Sequence, residues 1–301
     1  MSGVFVVGSI NQDFVLQVER RPEPGETVTD ARLATHNGGK GANQAAAAAL
    51  LGADVTLLGR VGDDGFGEPL VEALAEKGVD TSLIEDAPGS STGTAFITVT
   101  PDGENEITVA PGANRRLSAE DVDDASATIG GARVLVAQME VPPEVVLRAV
   151  EVAAGHGTRA LVNLAPPFEV PGELLQELDP LVVNEHEAAF LLGNKVEGVD
   201  GALSAASELL DLGPRSLVIT VGGDGAVFSD GESTKHLSAP EVDVVDTTGA
   251  GDAFVGALAA RLARDAPLED AVGYAVRAGA ASVTKEGAQG ALPTPETVEA
   301  L

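Results

Sequence analysis

Nine consecutive residues, Asp246-Thr247-Thr248-Gly249-Ala250-Gly251-Asp252-Ala253-Phe254, set two glycines and a carboxylate at the head of an apolar periodic segment. Ahead of them Val242, Val244 and Val245 read as the end of a buried strand, and behind them Phe254, Ala257, Leu258 and Leu262 recur at helical spacing. The spacing predicts a strand-to-helix turn. Gly249 and Gly251 leave room for a ligand to approach the backbone, and the first turn of a helix presents unpaired N–H groups carrying partial positive charge. An anion fits there, and Asp252 beside it suits a base working next to a phosphate rather than a phosphate ligand. A glycine turn with an acidic cap explains the same nine residues equally well. The rest of the chain decides between the two.

The elements that must hold such a turn are legible in part. The 301 residues are 44% hydrophobic with 36 glycines, which allows one α/β domain over residues 1–301 with a sizeable core. Strand-like runs at Val55–Leu58, Val134–Val136, Ala160–Val162, Leu181–Val183 and Leu217–Ile219 alternate with helix-period segments such as 142–154 and 201–212, predicting a mostly parallel sheet wound by right-handed crossovers. Four stretches depart from that pattern. Residues 14–19 and 27–35, then 94–100 and 106–110 around an Asp102-Gly103 hairpin turn, alternate apolar with polar and predict a small separate β-sheet built from inserts at about 13–36 and 94–110.

Composition excludes several functions. With no cysteine there is no disulfide, thiolate metal site or cysteine nucleophile. A net charge of −29 argues against nucleic acid or anionic membrane as partner, so an anionic substrate needs a local cluster. The sequence shows neither a secretory leader nor an apolar run of membrane length, and the expectation is a soluble, cytoplasmic protein. Its acidic, lysine-poor composition suits a salt-rich cytoplasm, where a Debye length of about 3 Å at 1 M salt screens self-repulsion. The four histidines His36, His156, His186 and His236 show no metal-ligand spacing and are read as structural or surface residues.

Two further polar constellations stand at strand or helix ends. Asn11 and Asp13 follow the apolar Val4–Gly8 run, at the carboxyl end of a strand where open α/β sheets bind ligands, although Asx residues there are also ordinary turn formers. His36-Asn37-Gly38-Gly39-Lys40-Gly41-Ala42-Asn43-Gln44 leads into an alanine-rich helix that Gly52 stops. Lys40 is followed by Gly41 rather than Ser or Thr, and the glycine spacing is wrong, so this is no Walker A loop. It exposes Lys40 and Asn43 at a helix start, which suits hydrogen bonding to several hydroxyls of one small ligand.

Gly38–Gln44 together with Asp246–Asp252 resembles the pair of signatures of the ribokinase family of carbohydrate kinases, the PfkB superfamily. Val7–Asp13, Gln138-Met139-Glu140, Asn184-Glu185-His186-Glu187 and Thr220-Val221-Gly222-Gly223-Asp224-Gly225 are similar to further motifs of that family, in order along the chain. The resemblance implies a ribokinase-like α/β fold in which the small sheet covers the sugar and often pairs with that of a second subunit, hence a homodimer. It implies that Asn11, Asp13, Gly39, Lys40, Asn43 and Glu140 fix the sugar, that the amides of Gly249, Ala250, Gly251 and Asp252 hold the transferred phosphoryl group, and that Asp252 is the base. Asn184, Thr220–Gly225 and Gly251 then serve ATP. Glu187 organises Mg²⁺ through water. Asp246, Thr248, Ser282, Lys285, Gly287 and Ala291 surround a monovalent cation such as K⁺, several by backbone carbonyls. Val276 and Ala291 stand where relatives can carry polar residues at the adenine and at the cation. The sugar set points to D-ribose phosphorylated at O5. Fructose, 2-keto-3-deoxygluconate, 2-deoxyribose and nucleosides stay open as substrates of relatives, as does a regulator without turnover; a dinucleotide dehydrogenase lacks its Gly-x-Gly-x-x-Gly after the first strand.

Overall fold

Every one of the five apolar runs lies within a strand of one sheet. The computed structural model describes residues 3–101 and 105–301 and gives fourteen strands in chain order: β1 (Gly3–Val7), β2 (Asn11–Gln17), β3 (Arg32–Gly38), β4 (Asp54–Gly62), β5 (Val79–Asp80), β6 (Ile84–Ala87), β7 (Gly93–Val99), β8 (Asn105–Ala110), β9 (Val134–Gln138), β10 (Arg159–Asn163), β11 (Leu178–Asn184), β12 (Leu217–Thr220), β13 (Ala226–Ser229) and β14 (Thr234–Leu237). The large sheet runs β14-β13-β12-β11-β10-β9-β1-β4-β5, with β6 on the far part of β4. It is parallel from β12 through β5, and only β13 and β14 join antiparallel at one edge.

Alternation along β1 sends its side chains into two cores. Val4 and Val6 pack with the helices Lys40–Leu50, Ala250–Leu262 and Leu268–Ser282; Phe5 and Val7 pack on the other face with Pro143–His156 and Gly198–Asp211. Small residues set how closely the first two helices cross. Ala45, Ala46, Ala47 and Ala48 are fully buried, and a Cβ on Gly256 would lie 2.5 Å from Ala47 Cβ and 2.7 Å from the Gln44 carbonyl oxygen. These are the helices that open at Lys40 and just before Asp252, so their crossing fixes how far apart those residues stand.

The second sheet runs β3-β2-β7-β8 and joins β1 through Gly8, Ser9 and Ile10. Asp13 pairs with His36 and Ala95 across it, which puts all three on one face, while Phe14 pairs with Thr35 and Phe96 on the other. Phe14 stacks on Phe96 at 5.5 Å and meets Phe66 edge-on at 5.7 Å. Leu33 and Phe96 leave 60% and 46% of their surface exposed on that outer face.

Several sequence-based expectations need correction. Residues 242–245 form no strand: Val244 and Val245 are exposed, and the segment is held by the Val245 and Asp246 amides, which both donate to the Val283 carbonyl. Val242 and Val244 line a cleft, which explains an apolar run without a ladder. Residues 27–31 alternate like a strand but have no strand partner among the described residues, and pairing of β3 begins only at Arg32 opposite Gln17. The Asp102-Gly103 turn lies outside the described residues.

Candidate active site

Gly249 caps the Ala250–Leu262 helix in the left-handed region (φ 77°), and no side chain caps that helix. A Cβ at 249 would sit 2.9 Å from Ala288 Cα, whereas one at 251 would meet open space. The Ala250 amide turns back to the Thr247 carbonyl at 3.2 Å. Ala250 and Gly251 border a cleft of about 970 Å³ whose other walls include Thr220, Gly223, Val244, Val276 and Ala280. The open end of a helix dipole thus faces space large enough for a nucleotide.

Asp252 is 8% exposed and is gripped at both oxygens. Asn43 Nδ2 donates to Oδ2 and Gln44 Nε2 to Oδ1, each at 2.9 Å. Both donors come from the first turns of the alanine-rich helix, whose start Gly39 makes possible: it adopts φ 88°, and a Cβ there would be 2.7 Å from the Ser9 carbonyl oxygen. Glu140, just past β9, accepts from Ser9 Oγ at 2.6 Å and from the Lys40 amide at 3.1 Å. The Lys40 ammonium is buried, which alone would lower its pKa, but Asp252, Glu140 and Glu187 outweigh that and hold it above its ordinary value. Asp13 is pushed up to about 7, first by burial and then by the negative charges of Glu140 and Asp252, and its Oδ1 has no partner. A buried carboxylate oxygen without a donor suits a ligand hydroxyl. Asn11 is buried and accepts from Asn114 Nδ2 at 2.7 Å; Asn114 Oδ1 in turn accepts the Ile10 amide, which fixes both amide orientations and leaves the Asn11 NH₂ as the group to donate.

Where β11 passes into the Glu185–Leu192 helix, Asn184 and Glu187 form a reciprocal capping box. Burial pushes the Glu187 carboxyl up, offset by the Asn184 amide, Lys40 and His186. Among the described residues no three carboxylates or histidines cluster as a metal cage. That donor set fits a magnesium ion held mainly by phosphate oxygens and water, with one carboxylate nearby. Asp246 ties two segments together, with Oδ1 accepting from the Thr248 amide and hydroxyl and Oδ2 from the Gly287 amide at 2.8 Å. Burial opposes ionisation there, but these donors, with His36 adding to them, hold Asp246 below the usual carboxylate range. The small sheet reaches this junction through His36, whose Nδ1 lies 3.3 Å from where a Gly287 Cβ would stand.

A family model described as pfkB family carbohydrate kinase matches residues 1–295. The chain belongs to that family. It is 40% identical over 298 residues to a ribokinase of Staphylococcus aureus, covering 98% of each chain, and 36% identical over 294 residues to a deoxyribokinase of Salmonella typhi, covering 97% of this chain and 96% of that one. The solved structure of Arabidopsis thaliana ribokinase complexed with ribose and ATP superimposes with a TM-score of 0.90 at 30% identity, covering 99% of this chain and 97% of that one. With membership of the pfkB family comes the reaction class, ATP-dependent transfer of a phosphoryl group to a sugar.

The fold gathers Asn43, Lys40, Glu140, Asp13 and Asp252 about one point, and brings Asp246 and Thr248 against Gly287. Thr220, Gly222, Gly223 and Gly225 line the cleft, whereas Val221 is buried beneath it and Asp224 points its carbonyl at His236. Ser282 turns its hydroxyl back to the Gly279 carbonyl, Ala291 is buried and Lys285 is exposed. Sequence reasoning gave no role to Ser9, Gln44, Asn114 or Asn163. Gln44 and Asn163 carried a usable signal, a polar residue in a buried helix turn and at the carboxyl end of an apolar strand. Asn114, in the short 3-10 turn Gly112–Arg116, carried none.

Proposed function

We propose that this chain is an ATP-dependent ribose kinase that phosphorylates D-ribose at O5 with Asp252 as general base. The observation that carries this is the buried Asp252 carboxylate, gripped by Asn43 and Gln44 one residue beyond the Ala250–Gly251 mouth of an uncapped helix, with Lys40, Glu140 and Asp13 around it.

In this reading the O5 hydroxyl gives its proton to an Asp252 oxygen as O5 attacks the γ-phosphorus, and the bond to the ADP oxygen breaks. Phosphoryl transfer asks for positioning and charge stabilisation more than covalent chemistry. The amides of Gly249, Gly251 and Asp252 face the developing charge; Ala250 contributes less, its amide being directed at Thr247. Asp13, Glu140 and the Asn11 NH₂ hold sugar hydroxyls. Gly39 lets Lys40 and Asn43 approach them. Asn184 and the Thr220–Gly225 turn border ATP. Glu187 would hold magnesium through water, and the ion, when bound, would supply charge neutralisation between the phosphates. For potassium, the donor set of Asp246 and Thr248 with the backbone at Ser282, Lys285, Gly287 and Ala291 is oxygen-rich, which fits a weakly hydrated cation.

Residues 1–301 act as one domain with the β3-β2-β7-β8 sheet as a lid that excludes water. Its exposed outer Leu33 and Phe96 favour pairing with a second lid in a homodimer. No helix among the described residues is long and apolar enough to cross a membrane, in keeping with a cytoplasmic enzyme. The net charge of −29 favours activity at high salt. Deoxyribose is the second reading, because a deoxyribokinase is 36% identical over nearly the whole chain. ADP release with ATP, Mg²⁺ and KCl across a panel of pentoses, hexoses, keto-deoxy sugars and nucleosides tests both. Ribose is expected to give the highest kcat/KM; deoxyribose in first place moves the substrate, and no ADP with any sugar overturns the kinase.

A further inference from the structure

Behind Asp252 lies a chain of amides whose direction the backbone sets. Asn163, at the end of β10, donates its Nδ2 to the Val182 carbonyl at 3.3 Å, so its Oδ1 must face the other way. There it accepts from Gln44 Nε2 at 3.1 Å. The second proton of the same Gln44 NH₂ goes to Asp252 Oδ1, and Gln44 Oε1 accepts from Gln138 Nε2 at 2.6 Å. Gln138 and Asn163 pair directly across β9 and β10, so two central strands brace one glutamine. Gln44 and Gln138 are at most 1% exposed, and a Cβ on Gly8 would come within 2.3 Å of Gln138 Oε1, so the chain has little room to rearrange.

We infer that Gln44, oriented by Asn163 and Gln138, is a positioning residue for the reaction: it aims the Asp252 carboxylate and keeps it a pure hydrogen-bond acceptor. Gln138 donates to Gln44 and Gln44 to the carboxylate, while Asn163 anchors the other Gln44 proton, and each Asp252 oxygen keeps a further lone pair for a substrate hydroxyl. A glutamine that donates twice and accepts once in a buried helix turn has no such need for a merely apolar core. The charged groups that also face Asp252 are Asp13 from β2, Lys40 from the same helix as Gln44, and Glu140 after β9. None of these occupies Oδ1.

This inference rests on Asp252 being the base, and its test separates the two. Gln44→Met keeps the length and removes both donors. It is expected to lower kcat at least tenfold with KM for sugar and for ATP within twofold, and to leave the residual rate of Asp252→Ala unchanged, since residues acting as a unit are non-additive. Gln138→Met, one link further, is expected to act the same way more weakly. Equal losses in the wild-type and Asp252→Ala backgrounds, or a loss carried by KM, overturn the positioning role. Should Gln44→Met not fold, Gln138→Met decides by the same criteria. A near-normal rate in Asp252→Ala would instead remove the base itself.

Discussion

The cluster about Asp252, proposed to hold the sugar, and the cleft beside Ala250 and Gly251, proposed to hold the nucleotide, are built by opposite rules. At the sugar end, buried ionisable and amide side chains are locked to one another, as in the grip of Asn43 and Gln44 on Asp252 and of Ser9 on Glu140. At the nucleotide end the walls are mostly glycines, valines and alanines, with Thr220, Glu241, Asp243 and Thr247 as the polar side chains and no side chain capping the helix that opens there. In the proposed reading, selectivity would reside in side-chain identity at the first end and chiefly in the course of the chain at the second. Substitutions at the sugar end should therefore strike chemistry or charge, and those at the nucleotide end should act through backbone shape or do little.

The contrast is sharpest at Asp252→Ala, which is expected to lower kcat by about 10³-fold, the middle of the range for removing a general base, while ATP binding survives. Single-turnover rates alongside nucleotide titration check it. Gly249→Ala should be the exception at the nucleotide end. The left-handed conformation costs an ordinary residue ~1–2 kcal/mol and the added methyl meets the Ala288 backbone at 2.9 Å, so the helix start must shift. A loss of about 10²-fold in kcat/KM is expected for such a displacement; wild-type kinetics would show that the contact is not limiting.

Asp13→Asn probes the electrostatic strain of the sugar end. The Asp13 carboxyl has its pKa raised from an ordinary 3.8 to about 7, so between those values the unfolded chain ionises first and folding is penalised increasingly as pH rises. The variant should melt higher than the unliganded wild type at pH 8, should lose that advantage by about pH 4, and should bind sugar less well. A pH-independent difference in Tm would mean that Asp13 is not held protonated. Smallest of all, Val276→Ala removes two methyl groups from the cleft wall and should raise the KM for ATP about fivefold at most (~1 kcal/mol) without touching kcat.

The same division decides what could be read from the sequence. The parallel sheet was legible because runs such as Val134–Val136 and Leu181–Val183 are buried on both faces and leave no polar phase to confuse them. That Lys40, Asn43, Glu140 and Asp252 would come together was legible as well, since they stand in motifs with tight spacing. Val242–Val245 misled because an apolar wall facing a cleft has the same composition as a strand facing a core, and only a hydrogen-bonding partner distinguishes them. Asn114 stayed hidden because its role depends on a contact with Ile10 and Asn11, about a hundred residues away in the chain. Gln44 was visible as a letter in the motif, but the direction in which it donates depends on Gln138 and Asn163 on neighbouring strands.

The crossing at Gly256 and Ala47 has a consequence for how this enzyme could drift. Because a Cβ on Gly256 would also meet the Gln44 carbonyl, one missing methyl group sets the spacing of the two helices that carry Gln44 and Asp252. A larger residue there would act as a wedge at mid-span, parting the proposed base from Asn43 and Gln44 without altering any of them. Change in substrate preference is therefore freer in the strands that roof the sugar than in this joint, where the enzyme's geometry is fixed by an absence.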